Sequence, residues 1–303
     1  IFLSILIFFF FHKDNDKKSY GFFWLSKETS ILINNWFMMY FLSVVLIGTV
    51  YPIFLDVISS QKISVGPPFY HKLIIPFLIP FLIMMAIGPK LKWIKSQLED
   101  KIYLISFFIV SILLAFLILK NFNQNILINT ILISSAIYLF FITLRDFFVK
   151  KHKNISQNIA HFGFSLLILS ILFNNLFSSE IITNLKVGET FQNSKTKIFF
   201  KSINQKKEKN YKAIIANFSV SDLNGEVENF SPELRIYNQP VITTSEADIK
   251  TTLISDKFIV INLVQNQDFF NVRYQVKPFM LWIWLSVILI SFGGLLSLLK
   301  KKS

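Results

Sequence analysis

The 303-residue sequence contains no cysteine, so this chain by itself forms no disulfide, no thiolate metal site and no cysteine nucleophile. Charged residues make up only 16% of it. Acidic residues are nearly absent from its long apolar segments, which argues against an ion-coupled transporter with buried carboxylates. A glycine-rich phosphate loop and a nucleophile–base–acid arrangement are also missing. The catalytic residues therefore stay unknown from the sequence.

What the sequence has in abundance is apolar surface. Hydrophobic residues make up 53% of the chain, 35 residues are phenylalanine, and the mean hydropathy is +0.52. This composition is typical of a polytopic α-helical membrane protein. The net charge of +13 comes from lysines beside the apolar segments, so it indicates membrane topology, and we expect no nucleic-acid partner.

Six apolar segments have the roughly 20 residues that a helix needs to cross a bilayer. A shorter one, residues 1–11, has neither that length nor the basic start of a signal peptide, and we interpret it as the end of a span that begins upstream of Ile1. The six predicted spans are residues 31–55, 73–89, 102–119, 125–144, 158–177 and 279–299.

The lysines alternate between the two sides of these predicted spans. Lysine- or arginine-rich segments follow residues 11, 89 and 144 and end the chain, whereas the intervening loops carry only Lys62, Lys72 and Lys120. By the positive-inside rule the rich segments, including the C-terminus, are cytoplasmic. The long polar region before the last span is then exported.

That exported region, residues 178–278, has the pattern of β-structure. Alternating apolar residues at 214, 216, 218 and 220 predict one buried strand face, and Asn224-Gly225 predicts a hairpin turn after it. Residues 258–264 and 270–276 predict later strands. We expect helices over 1–177, one β-rich sandwich or barrel-like domain over 178–278, and a last helix with a lysine tail over 279–303. Trp282 and Trp284 are predicted interfacial anchors.

His161 is the candidate binding residue, because it lies within the predicted span 158–177. One interpretation is a histidine that hydrogen-bonds a neighbouring helix near the cytoplasmic boundary. The other is an axial ligand to a haem held between helices, since neutral imidazole is a standard haem ligand and ionisable groups in spans are costly. Ala160 and Gly163 would let a flat macrocycle or a partner helix come close.

The other polar features of the membrane region have simpler interpretations. His71 follows a predicted outer loop, and His12 and His152 lie among lysines, so we expect all three to be solvated. Four scattered histidines do not form a metal cluster. Pro76 and Pro80 indicate either a broken transporter helix or ordinary kinks.

Five segments, in order along the chain, resemble the CcmF family of cytochrome c-type biogenesis proteins, a subunit of the bacterial haem lyase. The most specific, GTVYPIFLDVISSQKISVGPPFY, is similar to that family's GT-YP and G-KISVGPP-Y loop. The five are LSKETSILINN at 25–35, the loop at 48–70, AHFGFSLLILSI at 160–171, TSEADIKTTLISDKFIVI at 244–261 and VKPFMLWIW with GGLLSLL between 276 and 299.

The resemblance implies that His161 is one of two axial ligands of a transmembrane b-type haem. The family's other transmembrane histidine and its tryptophan-rich WWD haem-handling segment, with two flanking histidines, would lie upstream of Ile1. The chain therefore resembles the C-terminal portion of such a protein, as a fragment or as one product of a split gene. It departs from the family at His71, where no histidine is expected, and at Leu281, where the family tends to carry arginine.

The function implied by the resemblance is covalent attachment of haem to the Cys-x-x-Cys-His of apocytochrome c on the outer face of the membrane. The implied partners are a haem chaperone, apocytochrome c and other cytochrome c maturation subunits. The implied location is the bacterial inner membrane rather than the mitochondrial one. Two alternatives stay open, namely a permease for haem or a small solute and a structural subunit without chemistry.

Overall fold

The computed structural model describes residues 10, 23, 26–59, 63–93, 101–120, 122, 126–149, 155–222, 225–263 and 268–299. These residues contain six helices that are long and apolar enough to cross a membrane. Each overlaps one predicted span, which confirms the six; apart from Phe10, the segment 1–11 lies outside the description. The helices are α1 Lys27–Ser59, α2 Pro67–Ile87, α3 Lys101–Leu119, α4 Ile126–Val149, α5 Ile155–Phe177 and α6 Met280–Leu299.

The chain divides into two compact units, residues 1–139 and 140–303. In the first, α1 and α2 pack against each other through aromatic side chains and one close approach. The Tyr40 hydroxyl donates to the Leu73 carbonyl oxygen at 3.0 Å, and its ring lies 4.2 Å from that of Phe77. A Cβ on Gly48 would lie 2.6 Å from the Tyr70 hydroxyl oxygen. A larger residue at this position would therefore have to displace the Tyr70 ring.

Helix α2 runs unbroken through both of its internal prolines, Pro76 and Pro80. Transmembrane helices tolerate proline because neighbouring groups satisfy the freed backbone atoms. The two prolines are therefore ordinary helix residues, and the broken helix that favoured a permease is not formed.

The second unit contains the end of α4, then α5, the β-domain and α6. The described residues of this unit contain ten strands in two antiparallel sheets, with strand orders β1-β10-β9-β8 and β2-β3-β4-β6-β7, and β5 pairs with β4. The strands are β1 Ser179–Leu185, β2 Thr190–Gln192, β3 Thr196–Lys207, β4 Tyr211–Asp222, β5 Val227–Phe230, β6 Glu233–Tyr237, β7 Thr243–Glu246, β8 Asp248–Thr251, β9 Ser255–Leu263 and β10 Phe270–Pro278.

The two sheets enclose one hydrophobic core, so the domain is a β-sandwich. Strand β4 contributes Ala216, Phe218 and Val220 to it, with the partly buried Ile214 packed alongside, which confirms the predicted alternation. The opposite sheet contributes cross-strand pairs to the same core, such as Ile261 with Val272. The buried core is Leu185, Ile198, Phe200, Ala216, Phe218, Val220, Phe230, Leu234, Ile259, Ile261, Phe270, Val272 and Tyr274.

A turn joins β4 to β5 where the sequence predicted one. Gly225 has a φ of 78°, a left-handed conformation that suits glycine, and its amide donates to the Asp222 carbonyl oxygen at 3.1 Å. The Asp222 carboxylate accepts from the Glu226 amide at 3.2 Å. Asn224, the other predicted turn residue, lies outside the described residues.

The sandwich joins the membrane helices through a tight junction. Phe279, between β10 and α6, adopts a left-handed φ of 61°, and its amide donates to the Ile254 carbonyl oxygen at 2.8 Å. The Asn174 side-chain amide, near the end of α5, donates to the Pro278 carbonyl oxygen. The left-handed conformation of Phe279 costs energy that the surrounding contacts must offset. Both membrane connections of the sandwich are therefore held at one place.

Tyr274 makes the stability of the sandwich depend on pH in the alkaline range. Burial in the core, and then the charges of Glu228 and Asp222, raise the pKa of its hydroxyl from 10 to about 12. The unfolded tyrosine then loses its proton first, so this contribution is intact below pH 10 and is lost as the pH rises towards 12. We expect the free energy of unfolding in urea to fall less over this range for Tyr274→Phe than for the unsubstituted protein, by a difference on the order of 2 kcal/mol or less. Parallel slopes for the two proteins would contradict this.

Candidate functional site

His161 lies in the first half of α5, six residues after Ile155. At 1.5 Å per residue, it is about 9 Å along the axis from the start of the helix and about 24 Å from its end at Phe177, where the sandwich follows. Its side chain is partly buried. The candidate site therefore lies inside the span and near the end remote from the sandwich.

One face of α5 is taken up by α6. A Cβ on Gly293 of α6 would lie 2.7 Å from the Ala160 amide nitrogen and 2.9 Å from the Ser156 carbonyl oxygen. A Cβ on Gly163 would lie 3.0 Å from the Ile290 amide nitrogen. Small residues thus let the two backbones touch, as is common between transmembrane helices. Of the two uses foreseen for Ala160 and Gly163, the structure shows the partner helix.

The opposite face of α5 packs on the end of α4 through a polar ladder. The hydroxyl oxygens of Thr143 and Ser165 lie 2.9 Å apart within hydrogen-bonding distance, and the Asn158 side-chain amide donates to the Asp146 carbonyl oxygen at 3.3 Å. Between these two polar contacts along α5, the Phe162 ring lies 5.6 Å from the Phe140 ring of α4. These bonds fix the rotation of α5 about its own axis against α4.

His161 lies beside that ladder and away from α6. Successive helical residues are about 100° apart, which places it about 40° from Ser165 and about 100° from Ala160. Its imidazole therefore sits at the margin of the α4-facing side, with its position set by two packed faces. Within the parts of the chain that the structure describes, no three His, Cys, Asp or Glu residues group to hold a metal ion.

Of the other three histidines, the structure describes one. His71 is exposed, as predicted, but it lies within the first turns of α2 rather than in a loop, because Gly66-Pro67-Pro68 starts that helix earlier than the predicted span. Proline suits a first helical turn, where the missing amide hydrogen costs no bond. His12 and His152 lie outside the described residues.

The polar ladder and the junction were not predicted from the sequence. Asn158 and Ser165 are seven residues apart and share one face of α5, and this spacing of polar residues in an apolar helix was the available signal. Asn174 does not share the spacing of Asn158 and Ser165. The sequence contains no signal for the left-handed backbone of Phe279.

The fold is that of a polytopic α-helical membrane protein that carries a β-sandwich between its last two described spans. Residues 176–278 match the protein family described as the CcmF C-terminal beta-sandwich. The resemblance of the chain to the C-terminal portion of cytochrome c-type biogenesis protein CcmF is thereby confirmed, and it extends well beyond the sandwich.

Proteins described as cytochrome c-type biogenesis protein CcmF are similar to this chain over most of its length. The chain is 27% identical to cytochrome c-type biogenesis protein CcmF of Pseudomonas fluorescens over 94% of its length and 46% of the relative's. It is 24% identical to CcmF of Escherichia coli K12 over 90% of the chain and 44% of the relative. The solved structure of cytochrome c heme lyase CcmF matches with a TM-score of 0.68 and 20% identity, over 90% of this chain and 46% of that one. The chain thus spans about half the length of these relatives.

Proposed function

We propose that this chain forms the C-terminal portion of a membrane subunit of the cytochrome c maturation haem lyase. The observation that carries the proposal is similarity to CcmF proteins over 94% of the chain, in helices and sandwich alike. The proposed reaction joins the two cysteine sulfurs of an apocytochrome c Cys-x-x-Cys-His to the two haem vinyl groups. Its proposed partners are a haem chaperone, apocytochrome c and other maturation subunits.

The proposed location is the bacterial inner membrane. The alternation of lysine-rich and lysine-poor loops supports a cytoplasmic C-terminus and a sandwich on the periplasmic side. The reaction would then take place on the sandwich side of the membrane. The absence of cysteine from this chain is consistent with thiols that come from the substrate alone.

The proposed second role of the chain is to supply one axial ligand, His161, to a transmembrane haem b. The described residues fit half of such a centre, since a partly buried imidazole stands beside two packed helix faces. The other ligand would come from outside this chain. Such a haem supplies one-electron chemistry whose potential depends on axial ligands and burial. Thr143, Ser165 and Gly293 hold α5 so that the imidazole keeps its position.

The test is to replace His161 in the full-length protein, expressed with the other maturation components. We expect His161→Ala to lower covalent c-type haem, measured by haem staining, by about tenfold or more while membrane protein levels stay constant. The b-type Soret band of the purified protein should weaken in parallel. His71→Ala is the matched control, since His71 is an exposed histidine of a different helix, α2.

His161→Gln separates ligation from helix packing. Glutamine keeps hydrogen-bonding capacity but is a poor haem ligand, so it should behave like alanine if His161 binds iron. Wild-type maturation and an unchanged Soret band in His161→Gln would overturn the haem assignment and favour a structural role. The similarity to CcmF proteins would remain under either result.

A further inference from the structure

The β8–β9 turn, residues 252–255, presents two large apolar side chains at its tip. Leu253 is 73% exposed and Ile254 is 71% exposed. The tip carries no charge, and the nearest charged residues along the chain are Lys250 and Asp256. Adjacent exposed aliphatic residues at a loop tip mark a contact surface.

The turn lies at the level of the first turn of α6. The Trp282 indole nitrogen donates to the Leu253 carbonyl oxygen at 2.9 Å, and the Phe279 amide donates to that of Ile254 at 2.8 Å. Trp282 is the third residue of α6, so the tip lies beside the helix start.

That level is a membrane boundary. Helix α6 has 20 residues and is therefore about 30 Å long, which matches the hydrocarbon thickness of a bilayer. Its first turn must then lie at the interface. Aromatic rings gather there, since the Phe173 ring of α5 lies 5.6 Å from that of Phe279 and Trp284 is 62% exposed. Tryptophan is enriched at this depth.

Backbone groups of the turn are hydrogen-bonded, which an apolar environment requires. Besides the bonds from Trp282 and Phe279, the Thr252 amide donates to the Ser255 carbonyl oxygen at 3.0 Å, and the Ser255 amide donates to the Thr252 hydroxyl at 3.0 Å. Unpaired backbone groups are what exclude most loops from lipid. Here the tip carbonyls are paired, which removes much of that cost.

We propose that the β8–β9 turn is a lipid-binding wedge that inserts Leu253 and Ile254 into the bilayer interface beside α6. Together with Trp282 it fixes the sandwich against the membrane surface, so that the domain is held by lipid contact as well as by its two helical connections. The occupant is the boundary between phospholipid headgroups and acyl chains. This inference rests on the fold and not on the proposed haem function.

Single-cysteine labelling tests the wedge, because these 303 residues contain no cysteine. Leu253→Cys and Ile254→Cys are made in the full-length protein, with any cysteine outside these residues replaced by serine. Each is labelled with an environment-sensitive nitrobenzoxadiazole fluorophore in phosphatidylcholine–phosphatidylglycerol liposomes. Val187→Cys is the control, since it is 50% exposed and follows the far end of β1, about 20 Å along the strand from Ser179.

We expect the labels at residues 253 and 254 to be quenched by lipids carrying a shallow doxyl group. Iodide in the water should quench them several-fold less than it quenches the label at residue 187. Equal iodide quenching at all three positions would overturn the proposal. Protection from both quenchers would overturn it as well, because protein and not lipid would then cover the turn.

Discussion

Truncating Phe218 to alanine is expected to lower the free energy of unfolding of the β-sandwich by about 3–5 kcal/mol. The side chain is fully buried and stacks on Phe200, with 4.4 Å between ring centroids. Because interiors are densely packed, the cavity cannot collapse without moving both sheets. Pulse proteolysis of the detergent-solubilised protein in increasing urea would measure the change, since only the unfolded sandwich is cleaved.

Phe199→Ala is the matched control for that experiment. Phe199 is the neighbour of Phe200 on β3, but its side chain lies on the outer face of the sheet and is partly exposed. Its truncation should cost about 1 kcal/mol or less. Equal losses for the two variants would contradict the assignment of Phe218 to the shared core.

Replacing Gly293 with leucine is expected to separate α5 from α6 and to remove most of the folded protein from the membrane. Even a single added carbon would lie 2.7 Å from the Ala160 backbone nitrogen, closer than van der Waals contact allows. The milder Gly293→Ala should cost about 1–3 kcal/mol, the usual penalty for overpacking. Thermal unfolding followed by size-exclusion chromatography in detergent would measure both variants.

The adjacent Gly294 is the matched control for Gly293. A Cβ at Gly294 meets nothing within 4 Å, so Gly294→Ala should leave the melting temperature unchanged or slightly raised, because alanine favours helix. A melting temperature of Gly293→Ala equal to that of Gly294→Ala would show that α5 and α6 do not pack through this glycine.

The sequence predicted the helices and the core strands because each is specified locally. The apolar spans show in hydropathy alone, and the alternation through Ala216, Phe218 and Val220 shows which strand face is buried. Helix ends were harder, as α2 begins at Pro67 and α1 extends to Ser59, beyond the apolar runs. Helical geometry continues through polar residues as long as backbone bonds form, and hydropathy does not register that.

The candidate site was foreseen only as a residue. His161 could be identified by its cost inside a span, but its surroundings depend on contacts between segments far apart in sequence. The pairing of Gly163 with α6 and of Ser165 with Thr143 decides which helix face the imidazole shares. The same limitation applies to the β8–β9 turn, whose apolar tip becomes meaningful only once Trp282 is found beside it.

The order of the strands in the first sheet has a consequence for synthesis. Strand β1 pairs with β10, so partners such as Glu180 and Gln275 are 95 residues apart. At 5–20 residues per second, the ribosome needs roughly 5–20 s to make the second strand after the first. During that interval β1 carries unpaired backbone groups and α5 lies in lipid without α6. The nascent chain therefore passes through an exposed intermediate, in which a chaperone or a membrane insertase has the time to act.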